Sequence, residues 1–402
     1  MHGTDRLHAL DAVRAFALLA GIVLHAAMAF LPGLFPGIWS YVDASPSTTL
    51  SVAFFTIHMF RMSLFFLLAG FFGHMTFHRK GRRAFVADRA KRILIPLVVG
   101  WVVLYPIIGL VWRWGYQRLT GGPAPEMPAN FRPAHWFPFT HLWFLYMLAL
   151  LYAIALATRL LFDKVIDRNE TVRLCLDAAM RAIAPGIVGP ALLALPIAIS
   201  LYAQSPWIAW FGVPSPDVTY LPAVPAFIGF GSAFGVGWLL HRQVGLLTGW
   251  ARHAFVYLGA AIACTVGCLV MAGTAPAFVP MPYGGQKALY VALYAIGSWN
   301  WMAGIIGLGL RYLSIENRVL RYLADSSYWL YLIHLPIVGA LNVIVGPWHI
   351  HWAIKFPFIL GVSVPLMLLS YHVLVRYSFI GAILNGRRRR RHPPVLTVPA
   401  AE

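Results

Sequence analysis

Residues 52–77 read VAFFTIHMFRMSLFFLLAGFFGHMTF, an apolar run with one fixed charge, Arg61. At 1.5 Å per helical residue the run is long enough to cross the roughly 30 Å of bilayer hydrocarbon. It is therefore read as a transmembrane helix. Runs of the same kind recur to either side, at about 9–31, 93–113, 142–162, 185–203, 223–241, 254–273, 287–310, 327–346 and 353–376. The sequence thus predicts an all-α, polytopic integral membrane helix bundle of about ten transmembrane helices.

The composition agrees. Of 402 residues 60% are hydrophobic and 11% charged, where a soluble domain carries about 25% charged residues. A mean hydropathy of +0.71 excludes a disordered chain and leaves no sizeable soluble domain to place. One transmembrane domain is expected over 1–386, followed by a basic tail, 387–402, in which Arg387 to Arg391 precede Pro393 and Pro394 and disorder is expected. Three cysteines, Cys175, Cys264 and Cys268, are too few for a disulfide framework and are read as core packing.

A net charge of +18 raises the question of nucleic acid, but the basic residues cluster in alternate loops. With the N-terminus in the cytoplasm, the cytoplasmic loops and tail take nearly all of them, including Arg79 to Arg92 and Arg387 to Arg391, while the other side takes Arg113, Arg118, Arg132, Lys287 and Lys355. The positive-inside rule then puts both termini in the cytoplasm and makes the bilayer rather than nucleic acid the partner. Ala27-Met28-Ala29 mimics a signal-peptide cleavage site, yet the preceding run is too long for one and carries Asp11, Arg14 and His25, so a retained helix is expected. Gly229, Gly231, Gly235 and Gly237 lie in an apolar span with no preceding strand and read as close helix packing, as do Gly304, Gly307 and Gly309. No internal repeat of the kind found in inverted-repeat transporters is evident.

Ionisable residues at membrane depth mark functional positions by default. Arg14 and His25 lie about three turns apart on one face of the first span, with Asp11 one turn nearer the cytoplasm. His58 and Arg61 form an i, i+3 pair on the second span, which runs the other way. Counting from the outer ends puts His25 and Arg61 roughly 9–14 Å below the outer surface, so one pocket can hold both. His141 opens the fourth span and His334 lies mid-way along the ninth; His58, His141 and His334, taken singly, read as well as structural donors. No Asp or Glu lies deep in any span, so Arg61 must pair with backbone, an aromatic face or an anionic substrate. His135, His349 and His351 fall in outer loops without further ligands, and no metal site is expected. Between the second and third spans, residues 78–92 form either a topology anchor or a phosphate clamp; in a helix Arg89 and Arg92 face one way, and guanidinium groups bind phosphate bidentately.

Five blocks in order carry a resemblance: Leu10-Asp11-Ala12-Val13-Arg14 leading to His25; Phe60-Arg61-Met62-Ser63-Leu64-Phe65-Phe66 running to Gly70; Arg89-Ala90-Lys91-Arg92-Ile93 before Pro96; His141-Leu142-Trp143-Phe144-Leu145; and Ser327-Tyr328 through Tyr331-Leu332-Ile333-His334. The chain resembles the membrane acyltransferase-3 family, most closely its branch that succinylates osmoregulated periplasmic glucans. The resemblance implies transfer of a succinyl or acetyl group from cytoplasmic acyl-CoA to a hydroxyl of a periplasmic glucan, with acyl-CoA as donor substrate and no tightly bound cofactor. It places the essential histidine at His25 and the paired donor-binding arginines at Arg89 and Arg92. The chemistry fits: a histidine near neutrality takes a proton from an attacking hydroxyl, and Arg61 either stabilises the oxyanion or holds a succinyl carboxylate. Arg14, too far from His25 for a hydrogen bond along a straight helix, is assigned to donor binding or structure, and His58, His141, Trp143, Tyr331 and His334 to substrate binding. Transfer of acetyl to another surface polysaccharide, or transport or flipping of an anionic lipid or sugar, are the rival readings.

Overall fold

The computed structural model describes residues 8–124, 135–161, 170–315 and 317–386; the expected basic tail, 387–402, lies outside them. In chain order the helices are α1 (His8–Ala27), α2 (Thr48–Lys80), α3 (Arg82–Arg89), α4 (Ile95–Thr120), α5 (Trp143–Leu161), α6 (Thr171–Ile183) and α7 (Gly189–Leu193). They continue with α8 (Leu195–Ala203), α9 (Val224–Arg242), α10 (Leu247–Ala272), α11 (Gly285–Tyr312), α12 (Arg318–Val345), α13 (Trp352–Ser370) and α14 (Phe379–Leu384). Among the described residues there is no strand, only an isolated bridge between Trp136 and Thr219. An all-α architecture is what hydrocarbon demands, since a helix satisfies its own backbone N–H and C=O groups.

Nine helical segments among the described residues are long and apolar enough to cross a membrane, against about ten expected. The difference is the span at 185–203, present as the two short helices α7 and α8. Pro190 and Pro196 sit in the first turns of these pieces and break the helix, yet the segment still passes through the bundle: the Ala184 carbonyl accepts from Trp250 Nε1 at the start of α10, and the Gln204 carbonyl accepts from Lys287 Nζ at the start of α11, on the opposite side. The second span is longer than expected. It begins at Thr48, capped by the Ser47 hydroxyl accepting the Leu50 N–H at 3.2 Å, and ends at Gly81, whose φ of +75° turns the chain into α3.

The bundle centres on α1 and α11, each with 67% of its most apolar window buried. Small residues set the helix spacing. A Cβ on Gly70 of α2 would overlap the Phe234 carbonyl of α9, and one on Gly237 of α9 would overlap the Leu67 carbonyl of α2. Gly307 meets the Trp250 carbonyl of α10 and Gly309 meets Val13 of α1 in the same way, so the packing role read from the sequence holds there. Gly235, by contrast, faces open space. Cys268 is buried as expected, whereas Cys175 is exposed because α6 turns that face outward.

One ion pair lies fully inside the protein. Lys355 Nζ of α13 donates to Asp43 Oδ1 and Oδ2 at 3.0 and 2.8 Å and to the Gly346 carbonyl at 2.8 Å, and both side chains are at most 2% exposed. Together with Trp352 N–H to Ser45 Oγ at 3.1 Å, it fastens the segment between α1 and α2 onto the start of α13. Lys355→Met should strand a buried carboxylate and lower stability by about 3–5 kcal/mol, read as thermal unfolding in detergent. A melting curve superimposable on that of the parent would contradict this role.

Candidate active site

A single cavity of about 1700 Å³ runs between α1, α2, α4, α5 and α12. Arg14, Arg79, Arg89, Arg92 and Asn385 line the end assigned to the cytoplasm; Trp39, Trp112, Thr140, Ser215 and Asp217 line the opposite end. Between them lie His25, His58, Arg61, His141, Trp143, Tyr331 and His334. Every residue picked out from sequence as a site candidate therefore faces the same space.

His25 sits in the last turn of α1. Its ring stacks on Trp39, with centroids 5.5 Å apart and planes within 9°, and meets His334 on α12 at 5.0 Å. Arg61, His141 and His58 are within electrostatic reach of it. Arg61 comes across from α2 to lie on α1 where Gly21 offers no side chain; a Cβ there would overlap the guanidinium. Arg61 Nε is buried without a hydrogen-bond partner, and among the described residues no carboxylate pairs with the guanidinium.

The other candidates divide by what they already hold. His141 Nε2 donates to the Leu332 carbonyl at 2.9 Å, and Tyr331 Oη donates to the His141 carbonyl at 2.8 Å, so this pair cross-links the start of α5 to α12. His334 Nδ1 donates to the Tyr331 carbonyl at 2.7 Å. His58 stacks on Phe54 at 5.5 Å, and Trp143 packs against Phe230 at 5.4 Å. Arg14 Nη2 donates to the Ala324 carbonyl at 2.9 Å and lies 3.4 Å from Asp11 Oδ1, tying α1 to α12 at the cavity edge.

Arg89 and Arg92 do come together, and the reason is a residue the sequence reading passed over. Asp88 pairs with Arg89 at 2.6 Å, with Lys80 at 2.6 Å and with Arg92 at 3.3 Å. Arg89 is also flanked by the Phe85 and Tyr152 rings, each 5.3 Å from its guanidinium carbon. A π-helical turn, Ala90–Leu94, then shifts the register into α4, and the Arg92 carbonyl accepts the Tyr328 hydroxyl of α12. Its signal was a lone acid in a basic run, four residues before Arg92.

Two more residues escaped the sequence reading because they lie in connecting segments. Trp39 stacks on His25 from the segment between α1 and α2, where it also packs against Trp112 of α4 and the adjacent Ser40 hydroxyl donates to the Gly339 carbonyl of α12 at 3.2 Å. Asp217 reaches the cavity from the segment between α8 and α9. Surrounding protein raises its carboxyl above the usual carboxylate range, opposed by the Asp217 and Val218 N–H groups. The same segment braces Thr140, a β-branched residue held at φ +52° with its N–H donating to the Asp217 carbonyl at 3.0 Å. His141 follows that strained residue directly.

The sequence model of a family described as an acyltransferase domain matches residues 7–372. Curated relatives named glucans biosynthesis protein C, from Salmonella heidelberg (strain SL476), Salmonella agona (strain SL483) and Salmonella typhi, are each 24% identical over 404 residues, covering 97% of this chain and 96% of theirs. No solved structure matches the chain. The five sequence blocks meet around one membrane-embedded cavity and the family match covers nearly the whole chain; the protein belongs to the membrane acyltransferase-3 family.

Proposed function

We propose that the protein moves a succinyl group from cytoplasmic acyl-CoA to hydroxyls of a periplasmic glucan in the bacterial inner membrane. The observation that carries this reading is the cavity itself, with guanidinium groups at one end, His25 within it and a polar, aromatic mouth at the other. The name shared by the Salmonella relatives supports the glucan acceptor.

In this reading Arg89 and Arg92 hold the phosphates of the donor, exchanging part of their pairing with Asp88 for phosphate oxygens. The acyl-bearing arm extends through the cavity and brings the thioester to His25. His25 takes the proton of the sugar hydroxyl as its oxygen attacks the thioester carbon. The C–S bond breaks, and the departing thiolate takes that proton from the imidazolium, leaving a glucan ester and free CoA. Arg61 pairs with the distal carboxylate of the succinyl group, which could not enter an apolar bundle unaccompanied. At the outer mouth Asp217 accepts hydrogen bonds from acceptor hydroxyls, as a carboxylate with several lone pairs can.

Three outcomes follow in proteoliposomes given labelled acyl-CoA on the cytoplasmic side and glucan on the other. His25→Ala should lower transfer by about 10²–10⁴-fold at normal abundance; retained transfer would remove the histidine from its role as base, and movement of substrate without CoA release would favour a transporter. Arg89→Ala and Arg92→Ala should raise the apparent acyl-CoA requirement, with Arg92→Lys restoring part of it because an ammonium lacks the planar fork; an unchanged requirement leaves the segment a topology anchor. Arg61→Gln should cost succinyl transfer more than acetyl transfer by roughly 2–5 kcal/mol in a competition between the two donors. Equal loss with both would instead assign Arg61 to the oxyanion and favour an acetyltransferase.

A further inference from the structure

His25 has no carboxylate beside it, although a catalytic base needs a neighbour that fixes which ring nitrogen carries the proton. Its two ring neighbours are Trp39 and His334. Trp39 stacks flat and offers no acceptor in the ring plane. His25 Nδ1 is buried without a hydrogen-bond partner, while Nε2 is accessible from the cavity.

His334 has the complementary atom. Its Nδ1 lies 2.7 Å from the Tyr331 carbonyl oxygen, and a carbonyl only accepts, so Nδ1 carries the proton. The neutral ring then has its lone pair on Nε2, which is also buried without a partner. Two imidazoles joined edge to edge by an N–H···N bond have centroids about 5 Å apart, a bond of about 2.9 Å plus the two ring radii. The His25 and His334 centroids are 5.0 Å apart. With the His334 ring held by the Tyr331 carbonyl, it is the His25 ring, tilted 44° to it, that would turn about its side-chain bonds to bring Nδ1 to the unpartnered Nε2.

We infer that His334 is a positioning residue for His25: its Nε2 accepts a hydrogen bond from His25 Nδ1–H, leaving the His25 lone pair on Nε2, toward the cavity. The inference rests on the acyl-transfer reading and assigns the proton path within it. His25 Nε2 gains the hydroxyl proton and returns it to the thiolate, Nδ1–H stays bonded throughout, and His334 supports the imidazolium through a charge-assisted bond without changing its own protonation. His141 does not compete for the position, because its Nε2–H is held by the Leu332 carbonyl and its Nδ1 faces the Thr140 hydroxyl at 3.4 Å.

The test pairs a spectroscopic readout with kinetics. In ¹⁵N-histidine-labelled protein in lipid, the His25 resonances, identified by their loss in His25→Gln, should show the Nδ1–H tautomer, and His334→Asn should shift them to Nε2–H. Asn at 334 retains a donor for the Tyr331 carbonyl but places nothing at the Nε2 position; Gln places an amide oxygen there. His334→Asn should therefore lower kcat by about 100-fold with the acyl-CoA KM unchanged, and His334→Gln should recover most of the loss. An Nε2–H tautomer in the parent protein, a fully active His334→Asn, or equal damage from Asn and Gln would each overturn the pairing. Absence of acyl transfer by the parent protein would overturn the reading on which the inference rests, while the tautomer still decides the pairing.

Discussion

Arg61 brings a charge that no accessible pH removes into a bundle otherwise built to face hydrocarbon. The arrangement around it follows from that constraint. The guanidinium cannot face lipid, so α2 must present it inward, and α1 must receive it at a residue without a side chain, which is Gly21. Once inside, it lines the cavity that runs through the bundle. His25, one turn beyond Gly21 on α1, is thereby held beside the same space.

Much of this was legible in the sequence because hydrocarbon restricts the alternatives so strongly. Apolar length marked the spans, and rarity made Arg61 and His25 conspicuous. Depth arithmetic along two antiparallel helices was enough to predict that these two residues share a pocket. The same reasoning missed the break at 185–203, where two prolines divide the span into two short helices. His141 and Tyr331, assigned to substrate in that reading, line the cavity and also bond across from α5 to α12, His141 Nε2 to the Leu332 carbonyl and the Tyr331 hydroxyl to the His141 carbonyl.

What remained illegible lies in the connections. Neither periodicity nor hydropathy says where a loop residue points, so Trp39 and Asp217 carried no signal of their proximity to the site. Asp88 was hidden differently: a single acid in a basic run reads as incidental until the helix places three cations around it. With its carboxylate there the arginines are oriented in advance, so like charges stand close together without a bound anion.

The pair between Asp43 and Lys355 joins residues separated by 312 positions, and translation runs from one to the other. Asp43 emerges together with the segment that carries Trp39, while its cation belongs to α13, 312 residues later in synthesis. Until α13 has entered the membrane, the segment that stacks against His25 lacks its buried ion pair. A chain that stops short of α13 therefore leaves the Asp43 carboxylate, in the segment that packs on His25, without its cation.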